Sequence, residues 1–102
     1  MTEAAVLSEV SGGIMTITLN RPDKGNAWNG PMARGYFGLL EQAAYADDVR
    51  VILVTGAGKA FCVGGDGEKL AVVARTGDIK SAAEQPYWFP LSIGKPIIAA
   101  IN

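Results

Sequence analysis

Gly64-Gly65-Asp66 is the stretch of this sequence whose residue types and order point most directly to chemistry. Two successive glycines leave main-chain amides unshielded by side chains. Asp66 can then cap a helix running to about Arg75, with Leu70, Val73 and Ala74 facing inward. The first-turn amides of a helix carry partial positive charge. Such a place can bind an anion, or a carbonyl on which negative charge develops. An ordinary tight turn fits the same three residues.

The other candidates are weaker. Gly56-Ala57-Gly58 follows a strand-like run, but a dinucleotide-binding fingerprint needs glycine at position 61, which is Phe61. A phosphate-binding P-loop needs glycine where Leu53 stands and Ser or Thr where Ala60 stands. Cys62 is the one cysteine and has no base near it in sequence, so it reads as a small core hydrophobe. Lys24 and Lys59 are solvated loop lysines whose glycine-containing loops also suit phosphate contacts. Trp28 and Trp88 read as packing residues.

Composition narrows the chemistry further. The sequence contains no histidine, which removes Ser/His/Asp and Cys/His nucleophile systems and His-ligated metals. No metal site is expected. Its 102 residues suffice for one small domain, and 49% hydrophobic against 19% charged residues favours folding over disorder. Nine basic and ten acidic residues give a net charge of -1, which argues against a nucleic-acid surface or a polybasic membrane anchor. No apolar run reaches the ~18 residues that span a bilayer. The start, Met1-Thr2-Glu3-Ala4, is unlike a signal peptide. With a single cysteine, a reducing cytoplasm is the expected location.

These features need elements to hold them. Val6 to Val10 and Ile14 to Leu19 are β-rich runs split by Ser11-Gly12-Gly13, a hairpin pattern. In the second run, Ile14, Thr16 and Thr18 alternate with Met15, Ile17 and Leu19. Gly30-Pro31 opens a helix whose stripe is Met32, Tyr36, Leu39, Leu40, Ala43 and Ala44, ending at Asp47-Asp48. Val51 to Thr55 reads as a parallel strand covered on both faces. A short strand over Ala60 to Val63 precedes the glycine pair. Tyr87-Trp88-Phe89 reads as a packed connector, and Pro96 to Ile101 as another buried strand. A buried-type strand at the end of the sequence leaves an unpaired edge, which suggests a larger domain.

Three of these segments, in this order, resemble the enoyl-CoA hydratase/isomerase (crotonase) family. Ile17-Thr18-Leu19-Asn20-Arg21-Pro22 with Lys24, Asn26 and Ala27 resembles its N-terminal signature. Val49 through Asp66 resembles its central one, and Lys95 to Asn102 the start of its third. The resemblance implies an α/β fold, a crotonase-like ββα spiral (the N-terminal part of the ClpP/crotonase fold, truncated). Residues 1–102 would be the N-terminal part of a single such domain.

It also implies an acyl-coenzyme A thioester as ligand, with coenzyme A as part of the substrate and no separate cofactor. The backbone N–H of Gly65 would be one of two oxyanion-hole donors. Val63, Gly64 and Asp66, with the segment from Lys24 to Ala27, would hold the adenine and pantetheine portions. Lys24 and Lys59 would lie near the phosphates, and Leu70 would border the acyl pocket. Gly67, Glu68, Gly25 and Trp28 depart from the usual pattern. The second oxyanion glycine and the catalytic glutamates of the family come after Asn102. None of Glu3, Glu9, Glu41, Glu68 and Glu84 occupies a family catalytic position, so these residues alone are expected to be inactive.

The leading expectation is therefore a lyase, the acyl-CoA-binding part of an enoyl-CoA hydratase/isomerase of fatty acid metabolism. Alternatives are a non-catalytic acyl-CoA-binding or split-enzyme subunit, or another activity of the family: isomerase, thioester hydrolase or naphthoate synthase. A doubly wound nucleotide-binding module is a third, disfavoured by the failed fingerprint. The full-length protein is expected to form a homo-trimer or hexamer, without nucleic acid or membrane partners.

Overall fold

The computed structural model describes residues 4–65 and 88–102. The first two β-rich runs form a hairpin of β1 (Val6–Ser11) and β2 (Ile14–Leu19). They pair antiparallel from Val6↔Leu19 to Ser11↔Ile14, closed by the two-glycine turn that such a connection favours. Burial along β2 follows its sequence alternation. Met15, Ile17 and Leu19 are buried, while Ile14 is exposed and Thr16 and Thr18 are half-buried.

Helix α1 (Gly30–Tyr45) starts where Asn29, in extended backbone, accepts the Met32 N–H on its side-chain oxygen at 3.0 Å. Pro31 sits in the first turn, where its missing N–H costs no helical bond. Met32, Leu40 and Ala43 are buried and Tyr36, Leu39 and Ala44 half-buried, so the expected stripe is the packed face. Burying a leucine such as Leu40 stabilises the fold by about 1.5–3 kcal/mol. The helix stops at Tyr45, ahead of Asp47-Asp48. Its last carbonyls are held from far along the chain: Lys95 Nζ donates to Ala43 O at 2.6 Å and to Ala46 O at 2.7 Å. A cation there also meets the negative end of the helix dipole.

Strand β3 (Val51–Gly56) returns parallel to β2, with Met15↔Ile52 and Ile17↔Val54 in register. Strand β4 (Ile97–Ala99) lies parallel on its other side, giving the sheet order β1-β2-β3-β4. A hairpin, a crossover helix and a parallel return strand make an α/β unit of ββα type, as expected. Ile52 and Val54 are buried in one cluster with Met15, Ile17, Leu19, Met32 and Leu40.

Four expectations are corrected. Val51 and Leu53 are only half-buried, whereas Ile52 and Val54, on the face shared with Met32 and Leu40, are buried. Strand β4 is shorter than Pro96 to Ile101, and Ile98 is 51% exposed. Pairing continues past its ends through Ile52 N–H to Pro96 O (2.9 Å) and Ala100 N–H to Val54 O (2.7 Å), but β4 is an edge strand among the described residues. Ala60 to Val63 forms no strand, since its polar main-chain groups are taken up by the loop at residues 25–26. Of the tryptophans, Trp28 is half-buried and packed as expected, whereas Trp88 is 56% exposed. Phe89 is half-buried against the core, in a single 3-10 turn (Phe89–Ser92). Cys62 is half-buried against the same core.

Candidate functional site

The C-terminal ends of β2 and β3 each release a loop, and the two loops meet. The first runs through a 3-10 turn (Pro22–Lys24) to Trp28; the second runs from Gly56 to Gly65. A Cβ placed on Gly58 would lie 2.9 Å from Pro22 Cβ, and one on Gly25 would lie 2.9 Å from Val63 Cγ1. That approach excludes larger residues at both glycines. Two main-chain hydrogen bonds then join the loops: Val63 N–H to Gly25 O at 3.1 Å and Trp28 N–H to Gly64 O at 2.7 Å.

The second bond sets the direction of the glycine pair. No described peptide bond is cis, and in a trans peptide the C=O and the following N–H point opposite ways. With the Gly64 carbonyl aimed at Trp28, the Gly65 N–H is aimed away from it. Gly65 pairs with Trp28 as an isolated parallel bridge, and no acceptor among the described residues takes its N–H. Gly64 and Gly65 are both exposed. Gly64 has φ of 120°, where residues with a Cβ are strained, and no atom stands within 4 Å of where its Cβ would be. The pair is therefore exposed, holds a backbone conformation that glycine permits, and carries an N–H aimed away from Trp28.

The structure brings Lys24, Ala27, Lys59, Val63, Gly64 and Gly65 onto these two joined loops. Lys24 and Lys59 are exposed, and among the described residues neither ammonium has a partner. Ala27 is buried, with its carbonyl accepting from Arg21 Nη1 at 2.6 Å. Asp66 and Leu70, and the helix expected after the glycine pair, lie outside the described residues.

Trp28 is braced from below. Its ring meets that of Tyr36 edge-on at 5.6 Å, and a chain of ring contacts continues through Phe37 to Phe89. Burial pushes the Tyr36 hydroxyl pKa above its ordinary value, because the phenolate would lose hydration there. A surface depression of about 550 Å³ between β1 and α1 is lined by residues such as Val6, Pro31, Arg34 and Leu39. It shares no residue with the glycine pair. The geometry of the loops, rather than that hollow, marks the candidate site. Among the described residues no cluster of His, Cys, Asp or Glu can hold a metal, and no helix is long and apolar enough to cross a membrane.

Asn26 has a part beyond its place in the signature. It is fully buried and joins both loops through its carboxamide. The available signal was an asparagine directly after Gly25, a type that tolerates left-handed backbone.

The described residues are thus a ββα unit of α/β type whose loop after β3 brings an exposed glycine pair against the loop after β2. The sequence model of the enoyl-CoA hydratase/isomerase family matches residues 14–102. The 1,2-epoxyphenylacetyl-CoA isomerase of Escherichia coli is 35% identical over 104 residues, covering 95% of this chain and 39% of its own length. The probable peroxisomal enoyl-CoA hydratase 1 of Arabidopsis thaliana is 35% identical over 92 residues, covering 90% and 34%. The crystal structure of carnitinyl-CoA hydratase from Mycobacterium avium superposes with a TM-score of 0.80 at 36% identity, covering 99% of this chain and 40% of that one. The chain belongs to the enoyl-CoA hydratase/isomerase family and has the crotonase fold. It spans less than half the length of these relatives.

Proposed function

We propose that this chain is the acyl-CoA-binding, N-terminal part of a single enoyl-CoA hydratase/isomerase domain, and that the Gly65 N–H polarises the thioester carbonyl. The observation that carries this reading is the outward Gly64–Gly65 peptide, pinned by the 2.7 Å bond from Trp28. Enolate chemistry places negative charge on the thioester oxygen, and a fixed amide stabilises it without transferring a proton. Val63 and Gly64, with the Lys24-to-Ala27 segment, line the approach of the coenzyme. Lys24 and Lys59, on adjoining loops and without described partners, meet its phosphates. Asp66 and Leu70 belong to the same reading. Coenzyme A is part of the substrate, and no other cofactor is needed. Cytoplasmic residence and a homo-trimer or hexamer of the complete protein complete the proposal.

A second reading follows from the coverage of the relatives: these residues bind the thioester but turn it over only with a complementary segment. One oxyanion donor of two accounts for about 10²–10³ in rate, and a general acid or base for about 10²–10⁴. The 102 residues alone are therefore inactive in crotonyl-CoA hydration.

Titration with acetoacetyl-CoA, coenzyme A and NAD tests the proposal, using the unsubstituted chain and Gly65→Pro, which lacks the N–H. The acyl-CoA is expected to bind best and to lose about 10- to 100-fold affinity in the variant, the size of a hydrogen bond to a charged group. Preference for NAD, or a variant equal to the parent, would overturn it. Turnover restored by adding the remaining family segment supports the split reading; robust hydration without it refutes the inactivity.

A further inference from the structure

Resting on the reading of Gly65 as a carbonyl donor, we infer that Asn26 is the positioning residue that sets the pose of the Gly64–Gly65 peptide. Asn26 is the one buried polar residue among those described, at 0% exposure. It is also the one described non-glycine residue with positive φ, 56°, a conformation that side chains rarely adopt. Such a backbone persists where its surroundings over-determine it, and here they do. Its Oδ1 accepts the Arg21 N–H at 2.7 Å, and its own N–H donates to Arg21 O at 2.8 Å. Its Nδ2 donates to Ala57 O at 3.0 Å and to Ala60 O at 2.8 Å. Two carbonyls on one side and an amide on the other fix which end of the carboxamide is nitrogen.

The surroundings are shaped to this side chain. A Cβ on Gly56 would stand 2.9 Å from Asn26 Nδ2, so glycine there lets the carboxamide reach both carbonyls. The two bonds that hold the glycine pair flank Asn26 in sequence. Gly25, just before it, accepts from Val63, and Trp28, just after Ala27, donates to Gly64. Asn26 thus fixes the loop that carries Gly25 and Trp28 and ties it to the loop that carries Val63 and Gly64. Losing its two donors frees the loops from one another and lets the 64–65 peptide rotate. Asn102 offers a natural control. Its Nδ2 reaches Gly58 O at 2.7 Å and Ala60 O at 3.3 Å in the same loop, but the bonds to residues 63 and 64 come from Asn26's segment, not its own.

The test uses the nitrogen-15-labelled chain as it stands, with Asn26→Asp, Asn26→Gly and Asn102→Ser. Asn26→Asp keeps the shape and loses both donors; Asn26→Gly accepts positive φ and loses all side-chain bonds. Amide exchange of Trp28 and Val63 is expected to quicken at least tenfold in both Asn26 variants, with the Gly64 and Gly65 resonances displaced. Exchange of Ile52, bonded within the sheet, and all signals of the glycine pair in Asn102→Ser stay in place. Unchanged Trp28 and Val63 exchange, or quickening that only matches Ile52, overturns the inference. Should both variants fail to fold, the unsubstituted chain decides. The Asn26 Nδ2 protons and the Trp28 and Val63 amides open together under mild denaturant, and separate openings refute it.

A ligand arm separates positioning from plain stabilisation. In Asn26→Asp acetoacetyl-CoA loses more affinity than coenzyme A does, so that the ratio of the two falls at least tenfold; an unchanged ratio counts against the inference. If the unsubstituted chain binds neither compound, the acyl-CoA reading fails and the exchange data alone judge Asn26.

Discussion

The Trp28 N–H donates to the Gly64 carbonyl at 2.7 Å, and this bond turns the next amide in the chain, that of Gly65, away from Trp28. It works because the peptide is trans and because Gly64 takes φ of 120°. A single main-chain contact thereby converts a glycine turn into a directed donor.

Gly64→Ala is accordingly expected to cost about 1–3 kcal/mol, the range for a residue with a Cβ held in such backbone. The space beside Gly64 is open, so no steric clash contributes. Urea unfolding reads the loss. A variant as stable as its parent would mean that the 64–65 peptide is not held in this conformation.

Two glycines one turn apart on α1 give opposite expectations. A Cβ on Gly38 meets nothing within 4 Å, so Gly38→Ala gains helix propensity and stabilises by about 0.5–1 kcal/mol. A Cβ on Gly35 would stand 2.5 Å from Val6 Cγ2, a branched side chain on β1 with little freedom to yield. Gly35→Ala is expected to be the less stable of the two by about 1–3 kcal/mol, as overpacking costs. Equal midpoints in urea would show that β1 does not pack on α1 so closely.

Much of this arrangement was legible in the sequence, and the failures have physical causes. The alternation through Ile14 to Leu19 and the stripe from Met32 to Ala44 carry their periods openly, so hairpin and helix fall where expected. The glycine pair announced exposed amides, but its direction depends on Trp28, far away in sequence. Ala60 to Val63 is too short to show a period, and its fate is decided by Asn26 and Gly25. Asn26 itself looks like any loop asparagine until the carbonyls of Ala57 and Ala60 fold over it. Val51 to Thr55 has the composition of a doubly covered strand, while the described residues cover one face. The cap on α1 is invisible locally, because its last turn holds no basic residue and Lys95 is delivered by the pairing of β4 with β3.

Lys95→Met removes that cap. Its ammonium serves two carbonyls and the helix dipole, so a loss of about 1–2 kcal/mol is expected, with Lys95→Arg recovering part of it. Thermal unfolding of the three proteins at matched salt measures this. Stability indifferent to the methionine would place the ammonium in solvent.

Tyr36 gives the chain a stability that depends on alkaline pH. Its hydroxyl pKa is raised above 10.0 by burial, so the folded state binds that proton more tightly than the unfolded state. Between the unfolded pKa and the raised folded one, the unfolded chain loses its proton first. Stability contributed by the neutral phenol is thus complete below about pH 10 and is lost as pH climbs through the folded value. Tyr36→Phe removes this dependence, while every other group titrating in the range is common to both proteins. Urea unfolding from pH 8 to 11 should therefore show the parent losing stability faster than the variant, starting near pH 10. Parallel curves would mean that the ring beside Trp28 is hydrated, and that the edge-on contact bracing the Trp28 loop is looser than its 5.6 Å separation indicates.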